Sequence, residues 1–123
     1  MILSIWLCAA ISASAFALHT FVGGPQVTPP LLRNATLTAL SKWLSFYCWH
    51  ITTVLLFFMA AGFGWLALNP DLPSLVFLTA LSAALSVLSF VVERMGGIPP
   101  LRLPSTSLFA LIAGAGVSAI LLA

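Results

Sequence analysis

Four long apolar stretches, separated by segments rich in glycine and proline, limit the possible folds of this chain more than any other feature does. Its 123 residues include only four basic and two acidic side chains, 5% of the chain, whereas a typical soluble domain has about 25% charged residues. A bilayer core about 30 Å thick requires roughly 20 apolar residues for each helix that crosses it. Because backbone polar groups in lipid must be satisfied within the segment, the sequence predicts an all-α, polytopic membrane protein built as a four-transmembrane-helix bundle.

Glycine and proline set the predicted ends of the helices. Gly23, Gly24 and Pro25 would end the first apolar stretch, because they combine backbone freedom with a missing N–H donor. The short turn at 69–73 predicts that the second and third helices are antiparallel neighbours. We expect one transmembrane domain over residues 1–123, with helices at about 2–22, 43–68, 74–92 and 105–123, an interfacial helical turn at about 36–42, and loops at 23–35 and 93–104.

The basic residues all lie in or beside the first and third of the predicted loops. Arg33 and Lys42 belong to the first, Arg94 and Arg102 belong to the third, and the second has only Asp71. Lysine and arginine are enriched in cytoplasmic loops, so we expect these two loops to face the cytoplasm. Both termini would then lie on the outer side of a bacterial inner (cytoplasmic) membrane.

The two basic loops contain the same elements in the same order. Each has a Gly-Gly pair, then Pro-Pro-Leu and then an arginine. The residues are Gly23-Gly24, Pro29-Pro30-Leu31 and Arg33 in the first loop, and Gly96-Gly97, Pro99-Pro100-Leu101 and Arg102 in the third. This order is compatible with two helical-hairpin repeats in parallel orientation. The alternative is that the two loops are not repeats, because glycine and proline are common in any loop.

The scarcity of charged residues argues against several classes of function. No basic cluster indicates nucleic-acid binding, and no carboxylate is expected within the hydrocarbon, where ion and proton pathways usually require one. Asp71 lies in a turn and Glu93 at a helix end beside Arg94, so proton-coupled antiport is disfavoured. No catalytic residue is predicted, and the balance is against an enzyme.

Two histidines are the candidates for a binding site. His19 and His50 are both expected near the cytoplasmic side, offset by only about 5 Å along the membrane normal. Imidazole ligates iron, copper and zinc, so the pair could hold a haem, a metal ion or a quinone head. The alternative is structural, with His19 at the interface and His50 hydrogen-bonded to a carbonyl or a threonine.

Three arginines are candidates for an anion site. Arg33, Arg94 and Arg102 could together bind a lipid headgroup, near backbone N–H groups freed at the Gly-Gly pairs. The alternative is that these residues only orient the chain in the membrane.

The expected function is that of a non-catalytic accessory or oligomeric subunit of a membrane assembly. Small residues recur at three- and four-residue separations on several helices, which permits close packing against lipids, other membrane subunits or further copies of the chain. One alternative is the haem-, metal- or quinone-binding protein that uses His19 and His50. Another is a small oligomeric pore or carrier, whose path would be lined by Thr52, Thr53, Thr79, Ser82, Ser86 and Ser89.

Overall fold

The computed structural model describes residues 1–123 as helices joined by short turns, with no β-strand. The elements are α1 (Ile2–Ala17), a π-helical segment (Leu18–Gly23), α2 (Gly24–Arg33), α3 (Ala39–Leu68), α4 (Leu72–Met95) and α5 (Pro104–Leu121). By length and composition, four helical stretches can cross a membrane, since α1, the π-helical segment and α2 form one continuous helix. The predicted all-α membrane protein with a four-helix bundle is confirmed.

The predicted loop at 23–35 is wrong, because the helix continues through Gly23 and Gly24 as far as Arg33. The turn widens in the π-helical segment, where the N–H of Gly24 donates to the carbonyl of His19, five residues earlier. Pro25 then lies in the first turn of α2. Pro29 and Pro30 lie further inside α2, so the prolines of this segment do not end the helix.

The first connection between spanning helices is reduced to residues 34–38. Its last residue, Thr38, caps α3, because the Thr38 hydroxyl oxygen accepts the N–H of Ser41 at 3.2 Å. The predicted interfacial turn at 36–42 is therefore divided between this connection and the first turn of α3. The second membrane helix begins four residues earlier than the sequence predicts.

The turn between α3 and α4 is short, and Asp71 closes it. The Asp71 carboxylate accepts the N–H of Ser74 at 3.0 Å, and Pro73 lies in the first turn of α4. Hydrogen bonding from the side chain and the backbone of Ser74 lowers the pKa of Asp71 below its usual value of 3.8. The carboxylate is thus held in its charged form, which suits a helix N-terminus.

The segment after α4 differs from its predicted counterpart after α1. Residues 93–95 are helical rather than part of the predicted loop at 93–104. The helix then ends because Gly97 adopts a left-handed backbone (φ 63°) and the N–H of Ile98 donates to the carbonyl of Glu93 at 2.9 Å, as in a Schellman motif. The Gly-Gly and Pro-Pro pairs of the first segment are helical instead, so the conformations of the two segments do not support a repeat.

Helices α1 and α5 form the centre of the bundle. Helix α1 packs against α3 and α5, and α5 also packs against α4. The core between them contains Ile5, Met59, Phe63 and Ile112, each at most 1% exposed. Although a short turn joins α3 and α4, their contact is much smaller than these three. They are therefore not the close antiparallel pair that the turn predicts.

Candidate functional site

A cavity of ≈ 400 Å³ lies where the π-helical segment and α2 meet α3 and the start of α5. This volume is within the range of about 300–1,000 Å³ that is usual for small-molecule sites. Most of its wall is apolar, and five of its lining side chains have polar groups that could orient a ligand. These are His19, Gln26, Trp49, Thr52 and Ser105.

The π-helical segment directs His19 towards α3. The Nε2 atom of His19 lies 3.1 Å from the backbone carbonyl oxygen of Trp49, and the two rings are stacked with centroids 4.0 Å apart and planes 19° apart. Because a carbonyl can only accept, Nε2 carries the proton. In the neutral imidazole, Nδ1 is then an acceptor. No side chain donates a hydrogen bond to Nδ1 of His19.

Gly23 makes the close contact between this segment and Trp49 possible. A Cβ atom at Gly23 would lie 3.2 Å from Cη2 and 3.3 Å from Cζ2 of the Trp49 ring. Both distances are shorter than ordinary van der Waals contacts between carbon atoms. The sequence suggested Gly23 as a helix breaker. In the structure, the absence of a side chain at Gly23 instead leaves room for the Trp49 ring beside the π-helical segment.

Next to the cavity, the Glu93 carboxylate is fully buried, at 0% exposure. Its Oε1 atom accepts the N–H of Leu103 at 2.6 Å, and its Oε2 atom accepts the N–H of Leu101 at 3.3 Å and the hydroxyl of Thr106 at 3.1 Å. Leu101 has a left-handed backbone (φ 64°), which costs a non-glycine residue about 1–2 kcal/mol. No arginine side chain donates to this carboxylate; the loop before α5 and α5 itself supply these three donors.

Hydroxyl groups continue from Glu93 along the contact between α4 and α5. The Oγ atom of Ser89 lies 2.7 Å from Oγ1 of Thr106 and 2.7 Å from Oγ of Ser105, and Ser105 lines the cavity. The hydroxyl of Ser86 donates to the carbonyl of Thr106 at 2.8 Å. The cavity and the buried carboxylate are thus connected by hydrogen bonds.

Sequence reasoning missed Glu93 as a functional candidate, because its place beside Arg94 suggested an exposed helix end. One signal was present. Ser82, Ser86, Ser89 and Glu93 follow one another at separations of four, three and four residues, which places them on one face of a helix. Since Ser82 faces the interior at 0% exposure, Glu93 shares a buried face, while Arg94 is exposed.

The structure places only one of the two predicted histidines in the cavity. His50 is exposed and packs edge-on against Phe46, with ring centroids 4.4 Å apart; it does not line the cavity. No group of three or more His, Cys, Asp or Glu side chains comes together in a way that could hold a metal ion. A shared haem or metal site on His19 and His50 stays a prediction, to which the structure adds no further ligand.

The three predicted anion-binding arginines lie at one end of the bundle. Arg33 ends α2, Arg94 is in the last turn of α4, and Arg102 lies two residues before the first residue of α5. All three are exposed. Binding of a lipid headgroup by these residues stays a prediction.

The polar residues predicted to line a path lie in two separate places. Thr52 and Thr53 donate to carbonyls of their own helix, at 3.2 and 3.3 Å, and Thr52 also lines the cavity. The other four candidates are on α4 and do not share an opening with Thr52 and Thr53: Thr79 and Ser82 are buried in the protein interior, and Ser86 and Ser89 are half-buried.

No protein-family model, no curated protein sequence and no solved structure matches this chain.

Proposed function

We propose that this integral membrane protein binds an amphipathic small molecule, a quinol or a similar long-chain alcohol or phenol, whose hydroxyl head docks at His19. The observation that carries the proposal is the cavity of ≈ 400 Å³ with His19 in its wall. This makes the protein a binding module with no catalytic centre of its own.

The hydrogen bonding of His19 argues for a head that donates. Nε2 is already occupied by the carbonyl of Trp49, so the ring offers a ligand an acceptor at Nδ1. A hydroxyl can donate to that atom, whereas an oxidised quinone has only carbonyl acceptors. The apolar wall, which includes Val22, Leu56 and Phe109, is suited to a ring or the first part of a hydrocarbon chain.

Binding of decylubiquinol tests this proposal. We expect saturable binding to the purified protein in detergent micelles, measured by quenching of tryptophan fluorescence, with decylubiquinone binding more weakly. The variant His19→Phe keeps a ring that can stack on Trp49 but has no Nδ1, and should weaken quinol binding about tenfold, the effect of one lost hydrogen bond. Exposed His50 supplies the matched control, since His50→Phe should leave the affinity unchanged. Equal affinities of the two variants, or no saturable binding, would contradict the proposal.

A second candidate function is that of an accessory or oligomeric subunit, and one surface of α5 favours it. Ala110, Gly114 and Ser118 are all exposed at four-residue separations, and a Cβ atom at Gly114 would meet nothing within 4 Å. Small residues in this spacing let two membrane helices approach closely. The occupant we propose is the same face of a second copy.

Cross-linking in native-like lipid nanodiscs tests the second candidate. Gly114→Leu should abolish a dimer that forms through this surface, because the larger side chain prevents close approach of the helices. The neighbouring exposed residue provides the control, and Leu111→Phe should leave the dimer intact. A chain that stays monomeric without any substitution would rule out self-association through α5.

A further inference from the structure

Three hydroxyl groups form an unbroken path from the cavity to the buried carboxylate. Ser105 lines the cavity, its hydroxyl is 2.7 Å from that of Ser89, and Ser89 is 2.7 Å from Thr106. The Thr106 hydroxyl lies 3.1 Å from Oε2 of Glu93. The two distances of 2.7 Å are typical of hydrogen bonds between oxygen atoms, and the distance of 3.1 Å is slightly longer.

Because each hydroxyl has one proton, the donor in each hydrogen bond of this path can be assigned. An ionised carboxylate only accepts, so Thr106 must donate its one hydroxyl proton to Glu93. Ser89 must then donate to Thr106, and Ser105 must donate to Ser89, because each hydroxyl has a single proton. Every donor therefore points towards Glu93, and the Ser105 oxygen keeps its lone pairs for a group in the cavity. When Glu93 is protonated, all three bonds can reverse.

We propose that Ser105, Ser89 and Thr106 relay a proton between the cavity and Glu93. The identity of the molecule at the cavity end, a hydroxyl-bearing ligand, rests on the proposed function. In the forward step the O–H bond of a ligand hydroxyl that contacts Ser105 rather than His19, such as the second hydroxyl of a quinol, breaks and its proton binds the Ser105 oxygen. The Ser105 proton moves to Ser89, the Ser89 proton to Thr106, and the Thr106 proton to Oε2 of Glu93. The negative charge passes from Glu93 to the ligand head, and no oxidant or reductant takes part.

The surroundings of Glu93 offer few competing proton carriers. On its own helix, Arg94 is exposed, and in the following loop Arg102 is exposed as well. Helix α5, which supplies Thr106, has no ionisable side chain. His19 lines the same cavity as Ser105 and is the one titratable side chain of α1 and the π-helical segment besides Cys8. The hydroxyl path is thus the hydrogen-bonded connection between Glu93 and the cavity.

The rate at which Glu93 is protonated tests the relay without any ligand. The chain has only two acidic side chains, so in an Asp71→Asn background the side-chain carboxyl band in the infrared spectrum belongs to Glu93. We would record the growth of this band after a rapid drop in pH, with the protein in dodecyl maltoside micelles. Ser105→Ala should slow it about 100-fold, within the range that positioned proton transfer contributes in enzymes.

Ser107→Ala is the matched control, because Ser107 is also in α5 but neither lines the cavity nor belongs to the hydroxyl path. This variant should keep the unsubstituted rate. Equal rates for Ser105→Ala and Ser107→Ala would overturn the relay, whether or not decylubiquinol binds. Failure of decylubiquinol to bind, with the Ser105→Ala effect intact, would instead overturn the proposed ligand, so the two failures are distinguishable.

Discussion

Replacing Glu93 by alanine is expected to destabilise the folded protein more than any other single substitution of a charged residue. The N–H groups of Leu101 and Leu103 and the hydroxyl of Thr106 would all lose their acceptor. Unpaired buried donors are costly, and the left-handed backbone of Leu101 would no longer be held by a hydrogen bond. We expect the midpoint of thermal unfolding in detergent to fall by about 10 °C, as measured by circular dichroism.

Two further variants separate the hydrogen bonds of Glu93 from its charge. Glu93→Gln keeps an acceptor for Leu103 and can donate to Thr106, so it should lower the midpoint by less than Glu93→Ala does. Asp71→Ala removes the other acidic side chain, which accepts hydrogen bonds only from Ser74 at an exposed helix start, and should have the smallest effect. Equal losses for Glu93→Ala and Asp71→Ala would show that the loop before α5 does not depend on the buried carboxylate.

The four membrane helices could be predicted because the length of an apolar stretch is itself the physical requirement for crossing lipid. The ends of these helices could not all be predicted. A proline inside a helix removes one hydrogen bond and disfavours the helix, but Pro25, Pro29 and Pro30 all lie within α2. The π-helical bond from Gly24 to the carbonyl of His19 is not visible in the pattern of residue types.

The candidate site was predicted only in part, for reasons of geometry. His19 was a candidate because it is polar within an apolar stretch, but the cavity beside it depends on how α1, α3 and α5 pack. His50 follows Trp49 directly, and one residue turns the side chain roughly 100° around a helix. Trp49 therefore lines the cavity while His50 is exposed. Burial of Glu93 depends on the loop from residue 96 to 103, whose fold requires the left-handed backbone of Leu101.

The contact between α4 and α5 gives the second large expected effect. Gly116 is buried against Thr79 of α4, and a Cβ atom at Gly116 would overlap the Thr79 hydroxyl and lie 2.9 Å from its Cγ2 atom. Gly116→Ala should therefore push the two helices apart and cost about 1–3 kcal/mol of stability, as overpacked cores do. Gly114→Ala on the same helix adds its methyl group where nothing lies within 4 Å. The difference between their unfolding free energies in a denaturing-detergent titration measures the cost of the overlap.

The double variant Thr79→Ala/Gly116→Ala identifies the origin of that cost. The Thr79 hydroxyl oxygen is buried and has no hydrogen-bond partner, so its removal takes away no hydrogen bond and makes room for the new methyl group. The double variant should therefore recover most of the stability that Gly116→Ala loses. If it does not, the loss comes from the backbone of α5 rather than from contact with α4. The absence of a side chain at Gly116 would then not be what lets α4 and α5 pack closely along the contact that contains the hydroxyl path to Glu93.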